Sequence, residues 1–288
     1  MNAIAIFFDL FKLRIGLVIG FTALAGLVVA PGPAPAGWRI ALLVFAVVAS
    51  SAAAGAFNQY AERDLDVRMA RTKRRPFVTG RLVHSPRWLV VIALMCGLSV
   101  ALAALVANSM AAIYTFLGAF VYGVVYTVWL KRRTPLNIVI GGLAGSFAVL
   151  AGAAAVTPGG IDAAPLWLAV VLFLWTPPHF WSLAIACRAD YEAAGVPMLP
   201  AVVGDARAAR AVLVGTALLV AASLVPALVG LSWLYAITAI GSGAYFLQKS
   251  VALVRDPCRH TAMANFHASL VQLTLLLSAA IADALLLA

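Results

Sequence analysis

Apolar residues run along this chain in long, nearly unbroken stretches. They lack the two-residue alternation of half-buried strands, which argues against a barrel. Each stretch is close to the ~20 residues that a helix needs to cross a bilayer. The pattern predicts nine such helices: Phe11–Ala30, Trp38–Tyr60, Trp88–Ala107, Ala111–Leu130, Leu136–Val156, Leu166–Cys187, Ala209–Gly230, Trp233–Val254 and Phe266–Leu287. Between them, short uncharged breaks such as Pro31-Gly32-Pro33-Ala34-Pro35 and Thr157-Pro158-Gly159-Gly160 alternate with longer, charged connections. The expected architecture is an all-α polytopic membrane protein, a nine-helix transmembrane bundle forming one domain over residues 1–288.

Composition agrees with that picture: 64% of the 288 residues are hydrophobic and only 10% charged, where a soluble domain carries about 25% charged residues. The small-residue runs at 51–56, 141–146 and 151–155 suit close helix contact in lipid. The net charge of +10 does not predict a nucleic-acid partner, because the bases sit at span ends and no soluble basic domain carries them. With nine spans, nineteen of the 20 Lys and Arg fall on the side of the N-terminus, and only Arg39 lies opposite. That side is expected to be cytoplasmic, and the expected location is a bacterial inner (plasma) membrane. The first apolar run has no small-residue cleavage pattern and is expected to remain as a helix. Cys96, Cys187 and Cys258 are scattered and do not read as a metal site.

Eight of the 10 acids share the basic side, which positive-inside sorting does not require. The densest cluster is NQYAERDLDVRMARTKRRPFVTG, residues 58–80, directly after the second apolar run. Its bases alone fit a loop that sets topology. Its acids do not: Asn58, Glu62 and Asp66 recur at i, i+4 and i+8, one face of a continuing helix. Three stacked oxygen ligands with guanidinium groups behind them suit a hard cation bridging to phosphate oxygens. Self-repulsion of the bases predicts that the Arg71–Arg75 segment stays unstructured until an anion arrives.

A second polar centre lies in the sixth stretch. Pro177-Pro178 falls near its middle, and proline removes helical hydrogen-bond donors. Thr176 and the proline pair predict a break, with a second half-helix starting at membrane depth. His179 would lie in its first turn, about 16 Å along the axis from Asp190 if that half-helix is continuous. A histidine at that depth is a functional candidate; a neutral core histidine bonded to a neighbouring helix fits the sequence equally well.

Three segments together carry a resemblance: Arg63-Asp64-Leu65-Asp66 with Met69-Ala70-Arg71-Thr72 and Arg75-Pro76; Tyr126-Thr127 with Leu130-Lys131-Arg132-Arg133-Thr134 and Asn137-Ile138-Val139-Ile140-Gly141-Gly142; and Trp175-Thr176-Pro177-Pro178-His179-Phe180-Trp181 with Asp190-Tyr191 and Gly195-Val196-Pro197-Met198-Leu199-Pro200. The chain resembles the UbiA superfamily of intramembrane prenyltransferases, and within it the haem O synthase branch. That resemblance implies transfer of a farnesyl group from farnesyl diphosphate to a vinyl group of haem B. It implies magnesium held by Asn58, Glu62, Asp66 and Asp190, a diphosphate met by Arg14, Arg63, Arg71, Lys73, Arg74, Lys131 and Arg188, and an acceptor met by His179. Glu62 stands where the family usually has aspartate, and Lys12-Leu13-Arg14 where it has Lys-Pro-Arg. An aromatic or quinone-precursor acceptor is the nearest alternative. A secondary transporter of an anionic substrate is a further one, disfavoured because no internal repeat is visible. The bilayer is the expected surrounding; a homo-oligomer or a complex with a haem-modifying enzyme stays open.

Overall fold

The computed structural model describes residues 3–287, and among these every regular element is helical. Nine long helices carry the nine apolar stretches: α1 Leu13–Val29, α2 Gly37–Ala61, α3 Arg87–Val106, α4 Ser109–Leu130, α5 Asn137–Ala154, α6 Ala163–Ala186, α7 Asp205–Ser223, α8 Trp233–Arg255 and α9 Arg259–Leu286. Seven of them (α7 counted with the turn that follows it) are long and apolar enough to cross a membrane; α1 is apolar but shorter, and α8 has its apolar run interrupted by Gln248 and Lys249. The chain is a polytopic membrane protein.

Packing follows the small residues. Helix α1 lies against α2 and α5, α2 against α3, α4 against α5, α6 against α7 and α9, and α8 against α9. At the α1–α5 contact the two backbones come too close to admit a Cβ. A Cβ built on Gly26 would overlap the Val149 carbonyl, and one on Gly152 the Ala23 carbonyl. In lipid, where tails are as apolar as leucine, that intimacy is what holds helices together. Gly152→Val is therefore expected to push α1 off α5 and destabilise the protein by about 1–3 kcal/mol, read as a lower midpoint of thermal unfolding in detergent; an unchanged midpoint would show the interface is pliable.

The uncharged turns are closed by side chains reaching between helices. The Asn108 carbonyl oxygen accepts from Ala111 N at 2.9 Å to cap α4, while its amide donates to Ala154 O at the end of α5. Asp283 of α9, buried, caps α8 from outside, accepting from Ser232 N, Ser232 Oγ and Tyr235 N at 2.8–2.9 Å.

The structure corrects the reading of the sixth stretch. Helix α6 runs unbroken through Pro177 and Pro178, so no half-helix starts at Thr176. Two donors are lost, but the Thr176 hydroxyl donates back to Leu172 O at 2.9 Å, so it is no N-cap, and Ser182 donates to Pro178 O. Pro178 is buried and lies where a Cβ on Gly215 of α7 would touch its ring at 3.4 Å. Packing against α5, α7 and α9 holds the helical path that the prolines alone would interrupt. The real interruption comes later, at Cys187 (φ −117°, ψ 27°), after which a short helix Arg188–Ala193 begins. His179 and Asp190 are thus on different helices, not on one continuous face.

Candidate active site

Helix α2 ends at Ala61, and a short helix Arg63–Asp66 follows after a bend at Glu62. The backbone bonds Glu62 N to Asn58 O (3.0 Å) and Asp66 N to Glu62 O (2.8 Å) carry the i+4 spacing through that bend. Asn58, Glu62 and Asp66 consequently share the inner side, each 1–2% exposed. Arg63, Asp64, Val67 and Arg68 are exposed on the other.

Buried acids need partners, and each finds a base, Glu62 from the distant end of α4 and Asp66 from the loop that follows it. Lys131 Nζ is 2.6 Å from Glu62 Oε2. Arg75 Nη1 reaches both oxygens of Asp66 at 2.7 and 2.8 Å. Lys12 Nζ donates to Asn58 Oδ1 at 2.6 Å and to Tyr122 OH at 2.9 Å. Lys12 holds a left-handed backbone (φ 47°) between the helix Ala3–Leu10 and α1, and its stem lies 3.4 Å from where a Cβ on Gly55 would stand. The Asn58 amide donates to Thr127 Oγ1 at 3.0 Å. Burial pushes the Asp66 carboxyl above its ordinary range, with Arg75 opposing; Arg132, bonded to the exposed Asp64 at 2.7 and 2.8 Å, holds that carboxyl below it.

The end of α4 supplies the facing wall. Val121–Leu130 winds as a π-helix, a form concentrated at functional sites. Its i→i+5 bonding (Lys131 N to Tyr126 O, 2.9 Å) brings Tyr122, Tyr126, Thr127 and Lys131 towards the acids. The Tyr122 and Tyr126 rings stack at 5.7 Å, and Lys131 Nζ lies 5.6 Å from the Tyr126 ring centre. Gly141 makes room for that ring, since a Cβ there would come within 3.0 Å of it.

Asp190 joins the two acidic segments by another route. Its carboxylate accepts from Ala70 N at 3.0 Å and Arg71 N at 3.1 Å, while Arg71 Nη2 donates to Tyr191 OH at 3.3 Å. The segment after Asp66 is folded, contrary to the expectation for 71–75: the Thr72 hydroxyl donates to Asp66 O at 3.1 Å, and Met69 and Phe77 are buried as anchors. Asp66 pairs with Arg75 and Asp190 accepts from the Ala70 and Arg71 amides, which ties the segment down while Lys73 and Arg74 stay exposed.

Of the other residues singled out from the sequence, Arg14, Lys73 and Arg74 are exposed. Arg63 Nε donates to Phe77 O at 3.1 Å. Arg188 pairs with Glu192 at 2.6 Å and Asp205 at 3.4 Å, away from the acid ladder. Lys12, Arg75, Tyr122, Tyr126 and Thr127 are the contributors that sequence reasoning left out of the site. Arg75-Pro76 and Tyr126-Thr127 lay within the recognised segments; Tyr122 had no signal in a uniformly apolar run. Among the described residues no three His, Cys, Asp or Glu side chains converge as a finished metal cluster. One acceptor nevertheless stands ready: Glu62 Oε1 is buried without a hydrogen-bond partner.

His179 is buried deeper in the bundle. Its ring is stacked between Trp175 (4.1 Å) and Phe266 (4.4 Å), and Nδ1 lies 2.7 Å from Ser269 Oγ. Ser269 gives its own proton to Phe266 O at 2.6 Å. Nδ1 must therefore be the donor, which leaves the lone pair of the neutral ring on Nε2.

This geometry has counterparts. Residues 19–276 match the model of the UbiA prenyltransferase family. The chain is 55% identical over 278 residues to protoheme IX farnesyltransferase 2 of Paramagnetospirillum magneticum, covering 96% of each. It is 41% identical to a protoheme IX farnesyltransferase of Alkalilimnicola ehrlichii, over 96% of this chain and 91% of that one. Its fold superposes on a UbiA homologue from Archaeoglobus fulgidus, solved with DMAPP and Mg2+, with a TM-score of 0.75 and 16% identity over 96% of this chain and 99% of the other. By sequence and by fold, the chain belongs to the UbiA prenyltransferase family.

Proposed function

We propose that the chain is a protohaem IX farnesyltransferase, joining the farnesyl group of farnesyl diphosphate to a vinyl group of haem B with addition of water, to give haem O and diphosphate. The observation that carries this reading is the buried ladder Asn58, Glu62 and Asp66 with Lys12, Lys131 and Arg75 arrayed against it. The names of its relatives at 41–55% identity support the substrate pair.

The oxygen-only donor set fits magnesium. Asn58 Oδ1, Asp66 and the unpartnered Glu62 Oε1 would hold it, with Asp190, bonded to the Ala70 and Arg71 amides, as the further carboxylate. When bound, it would neutralise diphosphate oxygens as negative charge develops on them. The chain's own bases do the same from the protein side. On this reading Lys131 and Arg71 meet the leaving diphosphate as the farnesyl C1–O bond breaks, with Lys12 beside Asn58 in support. Beside these bases the stacked Tyr122 and Tyr126 rings form an apolar wall that would keep water from the allylic cation left behind. Attack by the vinyl carbon then forms the C–C bond, and water adds to the resulting porphyrin-side cation with loss of a proton.

The basic face is assigned to the cytoplasm of a bacterial inner membrane, with the N-terminus on the same side. Incubating purified protein in lipid with haem B, farnesyl diphosphate and magnesium should yield a haem heavier by one farnesyl group and one hydroxyl group. Prenylation of a hydroxybenzoate or quinone precursor, with haem B untouched, would replace this reading by the aromatic-acceptor one.

A further inference from the structure

The outer side of the short helix Arg63–Asp66, turned away from the buried Glu62 and Asp66, borders a cleft. It has a volume of about 500 Å³ and is lined by Tyr60, Ala61, Arg63, Asp64, Val67, Arg68 and His84. Its aromatic wall is built: His84 stacks on Tyr60 at 4.0 Å with 12° between the planes, and Phe77 meets both rings edge-on at 5.7 and 5.8 Å. His84 Nε2 lies 3.1 Å from Tyr60 O, and a carbonyl only accepts, so that nitrogen carries a hydrogen.

The charge around this cleft is one-sided. Asp64 is its sole acid, and its two oxygens are taken by Arg132. Neither Arg63 nor Arg68 is paired with an acid among the described residues; Arg63 has only Nε engaged, on Phe77 O. Two guanidinium forks around an open space, over the wall formed by the His84–Tyr60 stack, suit a phosphate group.

Position distinguishes the sources of that phosphate. Tyr60 and Ala61 end α2, and His84 stands just before α3, so the cleft lies at the polar boundary of two spans. Val67 and Val83 are exposed at its rim, 56% and 77%, and α3 continues with Val90, Leu94 and Leu98 exposed. An apolar surface leading away from a basic cleft is matched by a phosphate that carries acyl chains. We propose that this cleft binds the phosphate of an acidic phospholipid between Arg63 and Arg68, beside the His84–Tyr60 stack, with its chains along the outer face of α3. On this assignment Arg63 serves the lipid rather than the farnesyl diphosphate.

Native mass spectrometry of the full chain in detergent tests this, with phosphatidylglycerol and phosphatidylcholine offered at equal concentration. One interfacial base is worth about fivefold in affinity for an anionic lipid. The wild type should retain phosphatidylglycerol in preference to phosphatidylcholine; Arg68→Ala should lower that preference about fivefold, Arg68→Glu should abolish it, and Arg68→Lys should keep most of it. Millimolar inorganic phosphate should displace no more lipid than chloride at equal ionic strength, and farnesyl diphosphate with magnesium should displace none. Equal retention of the two lipids, or an unchanged preference in Arg68→Glu, would overturn the site. Selective displacement by inorganic phosphate would reassign it to a soluble anion, and displacement by farnesyl diphosphate would make it part of the reaction site.

Discussion

Asp66→Asn is expected to lower transfer about 10²–10³-fold while leaving a folded protein. Asparagine keeps an acceptor for Arg75 but removes the charge, and with it both the attraction for a cation and the balance of Lys12, Lys131 and Arg75 around the site. The alanine variant is a poorer test. Asp66 is 1% exposed and its pair with Arg75 is buried on the acid's side, so truncation leaves a base without its partner, at a cost of about 3–5 kcal/mol. Loss of activity in Asp66→Ala would then mix chemistry with folding. A double variant, Asp66→Asn with Arg75→Gln, restores local neutrality and should fold better than either single variant while staying inactive. Farnesylated haem and the thermal midpoint, measured on the same preparations, check both halves. Near-normal turnover in Asp66→Asn would remove this carboxylate from the site and leave its ion pair as a purely structural clasp.

The parts of this molecule legible in its sequence are those fixed by short-range rules. Bilayer thickness sets the lengths of the apolar runs, and each run became a helix. The spacing of Asn58, Glu62 and Asp66 is a helical period, and it survived a bend because the i+4 backbone bonds did. Long-range choices were not legible. Lys12 meets Asn58 across 46 positions and Lys131 meets Glu62 across 69; nothing local says which of the 20 bases will turn inward. Arg14 is chemically as good as Lys12, yet the left-handed turn at Lys12 puts one inside and leaves the other exposed. Pro177-Pro178 misled for the same reason in reverse. A local rule predicted a break, and packing against α7 and hydroxyl back-bonds overrode it. The π-helix escaped notice because the pattern around Tyr122 is apolar on all sides and so carries no periodicity.

His179→Gln is expected to separate acceptor chemistry from the diphosphate site. The proposal is that His179 meets the haem edge-on through Nε2, since both ring faces are covered by Trp175 and Phe266 and Nδ1 is committed to Ser269. Continuity of α6 strengthens the need for that edge: without a half-helix start at Thr176 there is no cluster of free backbone N–H groups at this depth to hold the acceptor. Glutamine can donate to Ser269 and fill part of the slot but offers no ring-nitrogen lone pair. It should therefore bind farnesyl diphosphate with magnesium normally, show a haem B spectrum different from the wild type's, and form little haem O. Alanine would open a cavity between two aromatic rings, at a cost of about 2–4 kcal/mol, so glutamine is the cleaner variant. The readout that isolates the role is the haem spectrum, which a packing function would not move. If His179→Gln binds haem B with the wild-type spectrum and turns over at the wild-type rate, the histidine is a core residue clasping α6 to α9 through Ser269, and the acceptor must be held by other side chains.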